Sequence, residues 1–277
     1  MHLSRRSLLA AGLSLPCWAA KKPGGVKLGV TDWNLRQRGK VEALALGAKI
    51  GFQGVEVSLA PAEDPDKLAL EDHALLARYV AESARLGIAV AGTALTECNR
   101  VCMVSEKRAQ RWLAAAIPIT AHLKARVVLI PFFSQCELKQ PSQTDSLVGI
   151  LKEHAPAAER AGVKLGLENY LSAEENVRIM DRVGSRAVMV YYDLKNSFDA
   201  GHDPYRELKW LTAKRVCQIH LKDKAYLGEG VIDYVKGMKM IGEIGYRGFA
   251  NLETAAPSGS VERDMRRNLN YIRGLMA

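Results

Sequence analysis

No C-x-x-C pair occurs in this 277-residue chain, and its five cysteines, Cys17, Cys98, Cys102, Cys136 and Cys217, are too scattered for a thiolate metal site or a disulfide framework. Cys98 and Cys102 would pair in an oxidising compartment, or else stay free thiols. No G-x-G-x-x-G fingerprint follows the first strand-like run, which argues against a dinucleotide-binding doubly wound sheet. The formal net charge is +9, yet there is no dense Lys/Arg block with interleaved aromatics, so a nucleic-acid partner is not indicated. No composition shift or low-complexity tract marks a linker. With 48% hydrophobic and 25% charged residues, the chain suffices for one well-packed domain.

The N-terminus is set apart from the rest. MHLSRRSLLAAGLSLPCWAAKK opens with a basic stretch and continues as an apolar run shorter than the roughly 20 residues that span a bilayer. It then reaches small residues ahead of Lys21, the layout of a cleavable export signal over residues 1–20, with the bond after Ala19 a suitable cleavage point. Ser4-Arg5-Arg6-Ser7-Leu8-Leu9 is similar to a twin-arginine signal, which implies export of an already folded protein, to the periplasm. The expectation is a mature domain over 21–277 that has no stable membrane insertion once the signal is removed.

Eight strand-like runs recur along the mature chain, at 26–33, 54–59, 88–95, 126–133, 164–170, 187–194, 215–223 and 248–254. Most are continuous apolar runs, as expected for parallel strands buried on both faces. Helix-period segments lie between them. In ALEDHALLARYVAESARLG, for example, Leu70, Leu75, Leu76, Tyr79 and Val80 share one stripe and Gly87 acts as a stop. Alternation of eight strands and helices predicts a single-domain (β/α)8 TIM barrel, whose chemistry sits at the C-terminal strand ends.

Four late strand ends bear metal-capable side chains: Glu168 in LGLENY, Asp193 in VYYDLKN, His220 in QIHLKD and Glu253 in ANLET. Three carboxylates and one imidazole from neighbouring strands suit one divalent ion. The oxygen-rich set favours Mn²⁺ or Mg²⁺, with Co²⁺ or Zn²⁺ also admissible. Without a cation the carboxylates would repel and hold their protons more tightly. Asp32, Trp33, Glu56, Glu97 and Asn99, at strand ends on the other half of the barrel, are candidate substrate contacts, with Trp33 suited to stack on a sugar face.

The stretches GLENY, YYDLKNS, CQIHLKDKAYLGEGVIDY and GYRGFANLET resemble the xylose-isomerase-like TIM barrels, a family that includes sugar phosphate isomerases/epimerases. The resemblance implies that Glu168, Asp193, His220 and Glu253 are the metal quartet. It also implies that Glu168 and Glu253 move protons on opposite faces of a metal-stabilised enediolate. Lys222 and Asp223 would face substrate or steady the metal-binding His, and Asp233 would cap the helix after the loop containing Gly228 and Gly230.

One residue departs from that pattern. Ketose epimerases of the family place a His three residues after the strand-six Asp, where this chain has Asn196, which exchanges hydrogen bonds but carries no proton at neutral pH. Asn196 is therefore a substrate contact of another kind. Lys195 and His202, further along the same loop, could also meet substrate, His202 in place of the missing imidazole.

The departure argues against standard ketose epimerase activity, and export argues against a phosphorylated cytosolic substrate. The expected activity is that of a metal-dependent, isomerase- or epimerase-like enzyme acting on a small carbohydrate by abstracting a proton alpha to a carbonyl. The alternatives are a lyase or dehydratase eliminating from a keto-sugar or keto-glycoside, and a non-catalytic periplasmic sugar-binding barrel. A homo-oligomer is compatible with each.

Overall fold

The computed structural model describes residues 25–276, so the export signal expected over 1–20 lies outside the described residues. Eight strands form one closed parallel barrel in chain order: β1 Lys27–Thr31, β2 Gly54–Ser58, β3 Ala89–Ala94, β4 Val127–Pro131, β5 Lys164–Glu168, β6 Val188–Asp193, β7 Val216–Leu221 and β8 Phe249–Leu252. The barrel expected from the alternation is therefore the observed fold. The strands stop one or two residues short of the expected runs at their C-terminal ends. The residues beyond, such as Trp33, Tyr170, Lys222 and Glu253, leave the ladder and build the barrel mouth.

Among the described residues, nine α-helices surround the strands: α1 Glu42–Ile50, α2 His73–Leu86, α3 Lys107–His122, α4 Pro141–Ala161, α5 Ala173–Val183, α6 Leu194–Asp199, α7 Pro204–Arg215, α8 Tyr234–Glu243 and α9 Val261–Met276. None of them is long and apolar enough to cross a membrane.

Local chemistry explains their limits. In α2, Asp72 accepts a hydrogen bond from the Ala74 amide, Leu76 and Tyr79 are buried, and Gly87 at φ 64° closes the helix in the left-handed region. Leu70 does not share that helix. It lies buried in the preceding 3-10 turn, Ala69–Glu71, because Asp72 restarts the backbone as a cap. Ser172 and Glu175 form a capping box on α5, and Asp233 caps α8 as expected. Removing such a cap costs about 1 kcal/mol.

The short α6 is the helix that strict alternation does not foresee. Its cap is Asp193, the last residue of β6, whose Oδ1 accepts from the amides of Lys195 and Asn196 at 2.7 and 2.9 Å.

The apolar faces of strands and helices pack into one continuous core. Inside the barrel, Ala94, Val127, Leu129 and Tyr191 form a smaller separate cluster. The disulfide joins Cys102 to Cys136, not to Cys98, which is buried and free. It ties the loop after β3 to the loop after β4, two segments that diverge in sequence but meet at the barrel mouth. Closing a 34-residue separation constrains the unfolded chain by about 3–4 kcal/mol on the loop-entropy account.

Candidate metal centre

The centre is assembled by strand register. Asp193 of β6 pairs across to His220 of β7, and His220 pairs to Asn251 of β8, two residues before Glu253. Glu168 ends β5, beside Pro131 of β4. Side chains two apart on a strand share a face, so these ends all turn into the barrel mouth. One donor atom from each of Glu168, Asp193, His220 and Glu253 lies within 4.8 Å of the others. From His220 Nδ1 the distances are 3.1 Å to Glu168 Oε1, 3.4 Å to Glu253 Oε2 and 4.0 Å to Asp193 Oδ2.

These residues fit a divalent cation. Asp193 Oδ2 is buried with no hydrogen-bond donor, because the other oxygen of the same carboxylate caps α6. Glu253 Oε2 is likewise buried without a well-directed hydrogen bond, although the Lys222 ammonium lies 3.1 Å away. Orphaned carboxylate oxygens aimed at one point are costly unless a cation meets them.

The electrostatics follow from this crowding. Burial pushes the Asp193 carboxyl up to about 7; Lys222 opposes the rise, while Glu168 and Glu253 add to it. Burial also works against a proton on His220, but the carboxylates of Glu168, Glu253 and Glu56 outweigh it and hold the imidazole well above its ordinary value. Glu253 falls below the usual range because His220 and Lys222 together overcome the opposing effect of burial. Cation binding must therefore displace protons. We expect metal affinity, measured by calorimetry, to fall as pH drops through about 7, with proton uptake by Asp193 as one cause.

A cavity of about 520 Å³ opens above the quartet, lined by Glu168, Glu253, Lys222, Asn196 and Trp33 on its inner side and by Arg38, Glu97, Arg100, Phe133 and Tyr170 toward the rim. Glu97 is shared by two guanidinium groups, those of Arg38 and Arg100. Asn99 lines the wall and accepts from the Phe133 amide at 3.2 Å.

Two residues expected to meet substrate also hold the carboxylates. Trp33 Nε1 donates to Glu253 Oε1 at 3.1 Å, so its ring is tied by its edge. Asn196 Nδ2 donates to Glu168 Oε1 at 3.0 Å.

Other expectations need correction. His202 does not line the cavity: α6 and the turn at Gly201 (φ 86°) carry it behind the rim, where Nε2 sits 3.4 Å from the Tyr170 carbonyl. Lys195 is buried and pairs with Asp199 one helical turn on. Asp223 lies beyond the end of β7 with its carboxylate turned into the following loop, where it accepts from the amides of Lys224, Val231 and Ile232. A side chain at Gly230 would strike that carboxylate at 1.9 Å, which is why glycine stands there. Asp32 is fully buried and braces Ser58 and Gly39, away from the cavity. Glu56 lies below the quartet, 2.9 Å from His220 Nε2. The carboxylate beside the candidate metal-binding imidazole is thus Glu56 and not Asp223. The residue-level clue was a glutamate in the middle of GVEVS, a strand buried on both faces.

The profile of the xylose isomerase-like TIM barrel family matches residues 44–275. The chain belongs to that family. Among solved structures with this family barrel, D-psicose 3-epimerase from Clostridium cellulolyticum H10 is similar at TM-score 0.74 and 17% identity, over 91% of this chain and 99% of that one. A 3-keto-D-glucoside 4-epimerase from E. coli is similar at TM-score 0.74 and 13% identity, over 90% and 99%. The IOLI protein with a bound zinc atom matches at TM-score 0.70 and 18% identity, over 91% and 98%. At such identities the likeness is one of fold. No curated protein sequence matches the chain.

Proposed function

We propose that this member of the family is an exported, metal-dependent isomerase- or epimerase-like enzyme that removes a proton from the carbon next to a sugar carbonyl. One observation carries the reading. Glu168 and Glu253, from strands three positions apart around the barrel, meet at one cluster of cation-seeking atoms on the floor of a cavity.

A divalent ion held by Glu168, Asp193, His220 and Glu253 supplies, when bound, the Lewis acid that eases loss of a proton next to a carbonyl. Three carboxylate oxygens favour Mn²⁺ or Mg²⁺, and the single imidazole also admits Co²⁺ or Zn²⁺. The protein's own groups do the rest. One glutamate accepts the proton and the other delivers one. Lys222, whose ammonium is kept charged by Glu253 and Asp193 against the opposing effect of burial, places positive charge beside the position where a substrate oxygen gains negative charge. Asn196 steadies Glu168 as a hydrogen-bond donor and brings no titratable proton of its own to the site.

Export rests on the twin-arginine-like stretch at the N-terminus. The Cys102–Cys136 disulfide supports it, since such bonds persist in oxidising compartments.

The cavity favours a second reading of the reaction. It extends past the quartet to Phe133, Tyr170, Arg38 and Arg100, leaving room for a ring beyond the one that reacts. A keto-glycoside undergoing elimination would fill both parts, and its first step is the same proton removal.

Solvent deuterium exchange tests the shared step. Incubated in ²H₂O with Mn²⁺ and a panel of free sugars, keto-sugars and keto-glycosides, the protein is expected to exchange a carbon-bound proton alpha to the carbonyl, and to stop when the metal is chelated. Products of the same incubations separate epimerisation from elimination. No exchange across the panel would leave the barrel as a binding module.

A further inference from the structure

Beneath His220 lies a group of polar side chains that takes no part in the quartet. Glu56 is fully buried in the barrel, and its Oε2 receives three donors: His220 Nε2 at 2.9 Å, Tyr191 Oη at 2.9 Å and Asn251 Nδ2 at 3.2 Å. Asn251 Nδ2 also reaches Tyr191 Oη at 3.0 Å, so two donors to the carboxylate are themselves linked. The Tyr191 ring packs on the imidazole with centroids 4.5 Å apart. Glycine at position 92 leaves the space this needs, since a side chain there would press on Gln218 at 2.9 Å and on Glu56 Oε1 at 3.4 Å.

We infer that Glu56 is a positioning residue that fixes the Nε2–H form of His220 and so leaves Nδ1 as the nitrogen free to bind metal. The inference rests on the metal reading given above. The physical argument concerns which ring nitrogen holds the hydrogen. A neutral imidazole has one N–H, and a buried carboxylate that already accepts from Tyr191 and Asn251 can only accept from Nε2. When the ring gives up one proton to bind metal, the hydrogen that stays is the one on the floor of the barrel, and the lone pair of Nδ1 then faces Glu168, Asp193 and Glu253. Hydrogen-bonded carboxylates of this kind orient the ring and raise its basicity as a ligand, and their loss typically costs about 10–100-fold in metal affinity.

Two variants separate charge from hydrogen bonding. Glu56→Gln keeps the shape and one acceptor oxygen, and is expected to weaken zinc binding by roughly tenfold; Glu56→Leu removes the acceptor and should weaken it by roughly 100-fold. Zinc is titrated against a chelating dye. Tyr191→Phe, which keeps the ring but removes one donor, covers the case in which Glu56→Leu does not fold, and is expected to weaken binding by a few-fold. In protein labelled with ¹⁵N-histidine, the Nε2–H signal of His220 should be present with and without zinc, and the Nδ1 proton should be the one that zinc displaces. Folded Glu56 variants that bind zinc as the wild type does, whatever their melting temperature, would overturn the role. So would a wild-type spectrum in which zinc removes the Nε2–H signal. Wild-type protein that takes up no zinc sinks the metal reading and the affinity effect with it, whereas the Nε2–H signal stands or falls separately.

Discussion

Glu168→Gln and Glu253→Gln, made separately, are each expected to lower turnover by at least about 10²–10⁴-fold while leaving the fold intact. Glutamine matches glutamate in shape, so Trp33 can still donate to position 253 and Asn196 to position 168. What disappears is the capacity to take up or release a proton. Each change also removes a negative charge from the candidate centre, so loss of metal alone could mimic the effect. Raising the metal concentration to saturation separates the two causes. Activity that returns at saturation would reduce these residues to ligands, and activity that stays low while zinc or manganese is bound would assign them proton transfer. Circular dichroism that matches the wild type completes the comparison.

The second large effect is on stability, and its sign reverses with the metal. Asp193 has two tasks: Oδ1 caps α6, and Oδ2 faces the cluster without a donor. Burial raises its carboxyl from 3.8 to about 7 in the metal-free protein. Between those two values the folded state binds more protons than the unfolded state, so stability falls as pH rises through that window, and above about 7 the full cost of the buried charge is present. Asp193→Asn keeps an oxygen for the cap and removes the charge. At pH 8, with chelator, the variant should therefore melt above the wild type by a few degrees. With metal the order should invert. A ligand at 100 times its dissociation constant stabilises the wild type by about 2.7 kcal/mol, and the variant forgoes most of that gain. Identical melting responses of the two proteins to added Mn²⁺ or Zn²⁺ would sink Asp193 as a ligand. Asp193→Ala should additionally lose about 1 kcal/mol with or without metal, because the cap goes too.

Much of the site's outline was legible in the chain because a parallel barrel imposes a simple rule. Strands buried on both faces read as apolar runs, and a polar side chain where such a run ends must lie at the mouth. Glu168, Asp193, His220 and Glu253 obey that rule, and the structure brings them together. The rule fails one or two residues further on. Asp223 and Lys195 follow strand ends by two residues and Lys222 by one, but the loop after β7 and the helix α6 turn the side chains of the first two away from the cavity. It also fails inside the barrel, where Glu56 is neither at a strand tip nor in a turn.

The eight alternating units and the four residues that converge can be read from the chain alone, because each is set by local periodicity or by position along a strand; the family is read from the motifs around those four. Only the tertiary structure decided what those residues touch. That Cys102 meets Cys136, that Asn196 holds Glu168 and that Glu56 holds His220 all depend on loop paths and on side chains crossing the barrel. Glu56 and His220 stand 164 positions apart in the chain, on strands that are not neighbours in the sheet. Closure of the barrel places both in one narrow interior, and no local pattern encodes that distance.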